Sequence, residues 1–510
     1  MKTWKIAAGA AFCAIVTLSS LASAGIGTAK KPDKKPSKPQ PVENQVLVSF
    51  KHGASASEKA VLHGKANGKV VKKISKIGVE VVEVPKGKVA DAIKAYKNNP
   101  NVAFAEPNYR RVLTTSEGSQ SVPNIPNMFT EQWHLDNTGQ GFGAECTIDL
   151  DTWEYVCDAP VYLGAPDADI DAPEGWELTH GSSEIKIAIL DSGVECSHPD
   201  LSGKCIEEKK FSSSSTVTDI VGHGTHVASI AAANTDNSIG TAGVARNATI
   251  GNLKVCYEEE IVPGFPEYGV TAYCDDSDVA AAIAYAADNG YQVINMSLGG
   301  SEYSETFKLA VDTAWSKGAV LVAGAGNTYG LTKSYPAAYE NVIAVAATNA
   351  DDNLATFSTF STDADDWVSV AAPGDTIFAA VPGSACLGDP DCYTWKSGTS
   401  MATPVVSGIA AMVWSYIDSP TNTTVRDCIE KSAEKTGALG QDFLAWTQHG
   451  RVNLHDALVC MPVPDPSCPD ADGDGVPDAK DECPDTPANT AINSNGCPAK
   501  SKVVVVPLLR

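Results

Sequence analysis

An α/β fold with a mainly parallel sheet flanked by helices is predicted for residues 128–460, and three observations predict it. Stretches at 185–190, 249–255, 291–296, 319–325 and 342–347 are short and rich enough in apolar residues to read as strands buried on both faces. Residues 278–289 and 304–317 lie between them with helical patterns, the first opening on an Asp and followed by Gly290. Strands that alternate with helices need crossover connections, which make a parallel sheet. Groups that do chemistry in such sheets gather beyond the carboxyl ends of the strands.

The stretch upstream predicts a second, smaller unit. Strand patterns at 46–50, 79–84 and 102–106 alternate with helical ones at 57–66 and 89–96, with a further strand possible at 68–74. That order suggests a ferredoxin-like α+β sandwich over 42–113. Ahead of it, residues 1–24 have the form of a secretory signal: Lys2 and Lys5, an apolar run from Ile6 to Leu18, then Ala22-Ser23-Ala24. The run is too short to span a bilayer, so the reading is a secreted, extracellular protein with no membrane span. Lys- and Pro-rich residues 25–41 read as a linker. Residues 114–127, polar and Pro-rich, read as an accessible segment open to cutting.

Composition bounds the function. At 510 residues, 43% hydrophobic and 20% charged, the chain has room for two or three ordinary globular domains. Its charge is uneven. Residues 1–113 carry 20 Lys and Arg against 7 Asp and Glu, whereas 114–510 carry 18 against 55. A basic leader on an acidic body suggests that the two parts associate, and so acidic a body argues against nucleic-acid binding. Of the 14 cysteines, none shows Cys-x-x-Cys spacing. Close pairs at Cys146/Cys157, Cys196/Cys205, Cys256/Cys274 and Cys386/Cys392, with Cys428/Cys460 a longer candidate, read as local disulfides of an oxidising compartment.

Four positions stand out against this background. The run 185–190 leads into Asp191-Ser192-Gly193, which sets a carboxylate at a strand end. Gly222-His223-Gly224-Thr225-His226 opens an Ala-rich helix, with glycines that permit close backbone approach. The run 319–325 leads into Gly326-Asn327. Last, Gly398-Thr399-Ser400-Met401-Ala402-Thr403-Pro404 precedes a buried helical run from Val405 to Tyr416. Ser400 is thereby placed where a loop enters a helix, and the N–H groups and partial positive charge there suit a developing oxyanion. Singly, each has a structural reading: Asp191 a strand-end cap, His223 a helix-entry histidine, Asn327 a left-handed turn residue, Ser400 an N-cap with Pro404 in the first turn. Together they supply a nucleophile, a base, a carboxylate to orient the base and an oxyanion donor, with the triad members in the order Asp, His, Ser. On these motifs the sequence resembles the subtilisin-like serine proteases over 128–460. Ala105-Glu106-Pro107-Asn108-Tyr109-Arg110 resembles the end of their inhibitory propeptide.

The resemblance implies a secreted serine endopeptidase made as a zymogen, monomeric, acting on protein or peptide substrates, with residues 42–113 as its intramolecular inhibitor. Ser400 would be the nucleophile, His223 the general base and then acid, Asp191 the orienting carboxylate. Asn327 would donate to the oxyanion with the Ser400 N–H. Ser297, Leu298, Gly299 and Gly300 would pair with extended substrate and line the specificity pocket, and His226 would be structural. His198-Pro199-Asp200-Leu201 and residues 234–240 match a high-affinity calcium site. There Asp200 and Asn237 would bind through side chains, and Thr235, Ile239 and Thr241 through carbonyls, an oxygen shell suited to Ca2+; an ordinary polar loop is the other reading. Insertions at 140–171, 256–276 and 384–393 would shape substrate choice. Past Cys460, Asp470, Asp472, Asp474, Asp478 and Asp481 fall at EF-loop ligand positions around Gly475. With Cys468, Cys483 and Cys497 that stretch, 461–510, resembles a thrombospondin type-3 calcium repeat; a solvated acidic linker is its other reading. Two rivals stay open: an inactive protease fold serving as a calcium-dependent adhesion module, against which four intact positions count, and a processing protease of strict specificity.

Overall fold

The computed structural model describes residues 41–113, 121–122, 129–142, 146–148, 155–157, 162–260, 270–362, 364–383 and 392–460. The expected signal and first linker, and the five aspartates of the tail (Asp470, Asp472, Asp474, Asp478 and Asp481), lie outside the described residues.

A seven-stranded sheet is the frame. Its order is Cys205–Lys210, Thr249–Lys254, Lys186–Asp191, Val293–Met296, Val320–Gly324, Ile343–Thr348 and Val370–Pro373, and every pairing is parallel. From Lys186–Asp191 the chain crosses to the edge strand Cys205–Lys210, fills the gap with Thr249–Lys254, then crosses to the other side of Lys186–Asp191 with Val293–Met296 and builds outward there. That change of side opens a crevice at the carboxyl ends of Lys186–Asp191 and Val293–Met296. The five foreseen strands are buried on both faces. Ile187 and Ile189 enter one core with the helices Gly224–Ala232 and Thr399–Tyr416. Ala188 and Leu190 enter a second core with the helices Asp276–Asp288 and Glu305–Ser316, as the two-residue period of a strand requires.

The N-terminal unit is a four-stranded antiparallel sheet in the order Lys69–Ile74, Val79–Glu83, Gln45–Phe50, Val102–Pro107. The strand left open at 68–74 is formed. Helices Ala56–Lys65, closed by a Ser55–Glu58 capping box, and Val89–Lys97 cover one face with Leu62 and Tyr96. The other face puts Leu47, Ile74, Val79 and Val81 into the same core as the helices Asp276–Asp288 and Glu305–Ser316. Polar contacts then set the angle of docking. The Glu106 carboxylate accepts from Ser304 Oγ (3.1 Å) and from the N–H groups of Glu305 (2.9 Å) and Thr306 (2.8 Å), capping one helix. Asn108 Oδ1 accepts from the Ser277 N–H at 3.1 Å, capping the other.

Two details of the sequence reading change. The helix leading from Ser400 begins at Thr399 with Gly398 as its N-cap, so Ser400 is in the first turn and Pro404 is inside the helix. Proline has no N–H to bond the carbonyl four residues back. That carbonyl belongs to Ser400, and it accepts instead from Ser297 Oγ at 2.9 Å. Among the expected disulfides, Cys196–Cys205 and Cys256–Cys274 are formed. Cys146 faces Cys157 across a strand pair. Cys392 is disulfide-bonded, while its expected partner Cys386 lies outside the described residues. Cys428 and Cys460 are not joined: the Cys428 thiol donates to the Cys460 carbonyl at 3.1 Å.

One buried group makes stability depend on pH. His134 is wholly enclosed, neither ring nitrogen has a hydrogen-bond partner among the described residues, and burial pushes its pKa down to about 3. The folded state resists the proton that an unfolded histidine takes up near pH 6.5. Stability is therefore complete above that value and is lost as pH falls toward 3. Between pH 7 and 5 His134 is expected to cost about 2 kcal/mol. Urea unfolding of His134→Leu beside the parent chain should show the gap in stability shifting by that amount between the two pH values.

Candidate active site

The four singled-out residues come from different elements, and the structure pairs Asp191 with His223 and Asn327 with the residue before Ser400. Asp191 ends its strand with its side chain enclosed, and Oδ1 accepts from His223 Nδ1 at 2.7 Å and from the Ser192 N–H at 2.7 Å. His223 is the N-cap of helix Gly224–Ala232. Its Nε2 is buried and without a hydrogen-bond partner among the described residues. An imidazole with Nδ1 on a carboxylate and Nε2 unused is set to accept a proton at Nε2. Gly224 has to be glycine, because an added Cβ would meet the Gly193 carbonyl.

Ser400 Oγ donates to the Ser297 carbonyl at 2.9 Å, so in this state the hydroxyl rests there and is not bonded to His223. Ser297 thus both donates to and accepts from Ser400. Asn327 Oδ1 accepts from the Thr399 N–H and hydroxyl, each at 3.0 Å. That fixes the amide orientation and leaves its NH2 as the half that can donate elsewhere. Leu298–Gly299 is a short strand paired with Arg110–Leu113 of the N-terminal unit, Leu298 opposite Leu113 and Gly299 opposite Val112. Gly300 differs. Its N–H and C=O bond Tyr335 at 3.1 and 2.8 Å, which takes it out of the ladder.

Asp219 is a site residue that sequence reasoning missed. Its buried carboxylate accepts from Ser192 Oγ, the Val221 and Gly222 N–H groups, and the Thr225 N–H and hydroxyl, at 2.7–3.0 Å. It holds the turn that presents His223. The available signal was an Asp followed within six residues by Gly222, His223 and Thr225, where a carboxylate can reach successive N–H groups at a helix start. Lys396 was missed as well. Burial pushes its pKa down, while Asp219 and Asp191 pull the other way. His226 is structural as expected: Nε2 donates to the Thr394 carbonyl at 3.0 Å, and burial holds its pKa well below the usual value.

Of the expected calcium residues, Asp200 meets the 235–241 loop through Asn237 and Thr241. Asp200 is buried, with Oδ1 accepting from Asn237 Nδ2 at 2.8 Å. Its Oδ2 accepts from the Thr241 N–H (2.7 Å), the Thr241 hydroxyl (3.2 Å) and the Tyr393 hydroxyl (3.0 Å). Burial raises its pKa, the signature of a carboxylate short of positive charge. A Cβ at Gly240 would run into Asp200 and Tyr393, so the cradle needs that glycine. Among the described residues no three acidic, His or Cys side chains cluster. A cation would therefore rest on one carboxylate and neutral oxygens, with Asn237 turning its amide oxygen to Asp200. On those terms the donor set fits Ca2+. A cavity of about 710 Å³ borders this loop, not the Ser400 centre.

Residues 182–445 match the Subtilase family, and residues 27–108 match the Fervidolysin N-terminal prodomain. The chain is similar to a thermophilic serine proteinase of Bacillus sp. (strain AK1), 35% identical over 421 residues, which are 82% of this chain and 88% of that one. It is 41% identical over 290 residues to thermitase of Thermoactinomyces vulgaris, across 57% and 93% of the two chains. Its fold matches the crystal structure of fervidolysin from Fervidobacterium pennivorans, a keratinolytic enzyme related to subtilisin, with a TM-score of 0.62 and 27% identity. That match takes in 84% of this chain, which spans 62% of the fervidolysin chain.

Loss of the Asp219 carboxylate strands several buried donors. Asp219→Ala is expected to lower stability by about 3 kcal/mol and to reduce kcat/KM, while Asp219→Asn, which keeps one acceptor, should recover part of both. Thermal unfolding and peptide hydrolysis measured side by side would check this. Unchanged values in the Ala variant would remove Asp219 from any role in placing His223.

Proposed function

The chain belongs to the subtilase family, and from that premise we propose a secreted, calcium-stabilised serine endopeptidase, made as a zymogen, in which Asp191, His223 and Ser400 cut peptide bonds through an acyl-enzyme. The observation that carries this reading is the 2.7 Å bond from His223 Nδ1 to Asp191, with Nε2 left unused beside the crevice.

The Ser400 hydroxyl leaves the Ser297 carbonyl for His223 Nε2, which takes its proton as Oγ attacks the substrate carbonyl carbon. Asp191 holds the imidazole in the tautomer that makes Nε2 the acceptor and stabilises the cation that forms. The Asn327 amide and the Ser400 N–H, at the start of its helix, receive the oxyanion. His223 then returns the proton to the leaving amine, and a water repeats the sequence in reverse to release the acid. Leu298 and Gly299 bind the substrate backbone as a strand, the role that Arg110–Leu113 fills in the precursor. Residues 42–113 are the inhibitory domain and 128–460 the peptidase. At the 235–241 loop Ca2+ would supply the positive charge that Asp200 lacks. The tail motif supports a second calcium-binding segment at 461–510, and the leader supports secretion.

Ser400→Ala is expected to abolish both self-cleavage within 114–127 and casein hydrolysis while intact precursor accumulates; cleavage persisting in that variant would remove Ser400 as the nucleophile. Asn327→Ala should reduce turnover by about 10²–10³-fold with little change in KM. Chelation of calcium is expected to lower the unfolding temperature, and Asp200→Ala should shrink that response. An undiminished response in Asp200→Ala would place the ion elsewhere.

A further inference from the structure

We propose that the acidic paired strands Cys256–Glu260 and Val270–Asp275, with the first residue of helix Asp276–Asp288, form an arginine subsite that selects substrates carrying two consecutive arginines upstream of the cut bond. The proposal rests on the endopeptidase reading above and names its substrate class.

The strand Arg110–Leu113 lies where an extended substrate would. It pairs antiparallel with Leu298–Gly299 on one side and with Val270–Asp275 on the other, with Arg111 opposite Cys274 and Arg110 opposite Asp275. It runs toward Ser297, whose carbonyl holds the Ser400 hydroxyl. Its body is anchored separately, by the Glu106 and Asn108 caps. The two arginines belong to the part that follows the substrate path.

Arg111 fills a pocket shaped for a guanidinium. Nε and Nη2 donate to the two oxygens of Asp276 at 2.5 and 2.7 Å. Nη1 donates to the carbonyls of Glu302 at 2.7 Å and Gly300 at 3.3 Å, and the group lies 5.6 Å from the Phe307 ring centre. Both Arg111 and Asp276 are 0% exposed. A paired fork of this kind matches arginine, whereas the point charge of lysine reaches one oxygen at a time. Arg110 lies over the rings of Tyr257 and Tyr273 at 5.7 and 5.6 Å, with Glu259 at 3.4 Å and Asp275 at 3.9 Å. The Cys256–Cys274 disulfide ties these two strands together. When the N-terminal unit leaves, Asp276 loses its counter-ion in a recess built from carbonyls and rings. An incoming arginine restores the pair, and a neutral side chain leaves a carboxylate without a partner.

Fluorogenic peptides assayed with the self-processed enzyme test this. A single arginine is moved through each of the six positions upstream of the bond, then paired with a second, with enzyme concentration set by fluorophosphonate titration. One non-adjacent upstream position is expected to raise kcat/KM over alanine by about 30-fold or more, with lysine there recovering only part and the Arg-Arg pair adding to the gain. In Asp276→Asn the arginine-to-alanine ratio should fall toward one, and in Glu259→Gln only the increment from the second arginine should fall. Equal rates for arginine and alanine at every position, with alanine peptides cut efficiently, would overturn the subsite and leave the endopeptidase standing. Full replacement of arginine by lysine would overturn the guanidinium fork. Failure to take the fluorophosphonate or to cut any peptide would overturn the endopeptidase and the subsite together.

Discussion

Burial of the helix that begins at Thr399 is the constraint on which the rest of the molecule depends. Every residue from Thr399 to Val413 is buried, so the position of Ser400 is set by core packing and not by a loop. Gly408 permits this. A Cβ there would collide with Val244 and lie against the Ala231 carbonyl, in the helix that His223 caps. The two helices bearing Ser400 and His223 therefore approach to backbone contact, on the same side of the sheet. Burying a large apolar side chain contributes about 1.5–3 kcal/mol, and this helix buries six of them from Met401 to Val413. Against that, the loss of one helical bond at Pro404 is minor, and the Ser297 hydroxyl makes it good.

The basic leader and the acidic body associate, but charge balance is the lesser part of the association. Pairs such as Lys76–Asp288 at 2.5 Å and Lys72–Asp278 at 2.6 Å link the two units, and pairs with that much exposure contribute at most about 1 kcal/mol each. The specific contacts are enclosed. Glu106 on a helix N-terminus and Arg111 on Asp276 bring opposite charges to the interface within six residues of each other. Burial pushes the Glu106 pKa up, and bonds from the helix N–H groups and the Ser304 hydroxyl offset part of that cost. Docking of this sort demands the exact partner, since removing either member leaves a charge stranded in an apolar setting.

The legible parts of the sequence were those with one dominant physical cause. The five central strands show as hydrophobic runs because both faces are covered. The polar edge strand Cys205–Lys210, with every residue at least partly exposed, gives no such signal, and neither does the four-residue strand Val370–Pro373. Asp191, His223, Asn327 and Ser400 were readable from the unusual residues around them. Asp219 was not, because one carboxylate serving five donors looks like any other loop aspartate until the loop is folded. The arginine pocket was equally hidden. Asp276 and Glu259 marked only an insertion at 256–276, and their partners lie about 150 residues earlier in the chain. Ser400 seemed to precede its helix because Pro404 usually marks a first turn, a rule that a side-chain hydroxyl from another strand overrides here.

The 235–241 loop and Ser400 are joined through one short strand. Cys392–Lys396 leads directly into Gly398 and Ser400, and it is gripped from several sides. The Tyr393 hydroxyl donates to Asp200, His198 Nε2 lies 3.2 Å from the Cys392 carbonyl, and His226 Nε2 donates to the Thr394 carbonyl. Two of these three holds come from the segment His198–Asp200, and the third from the helix that His223 opens. An ion that draws Asp200 toward the 235–241 loop therefore acts on the strand entering Ser400, with Tyr393 as the link. A change at Asp200 that loosened the loop would reach Ser400 through Tyr393 and this strand.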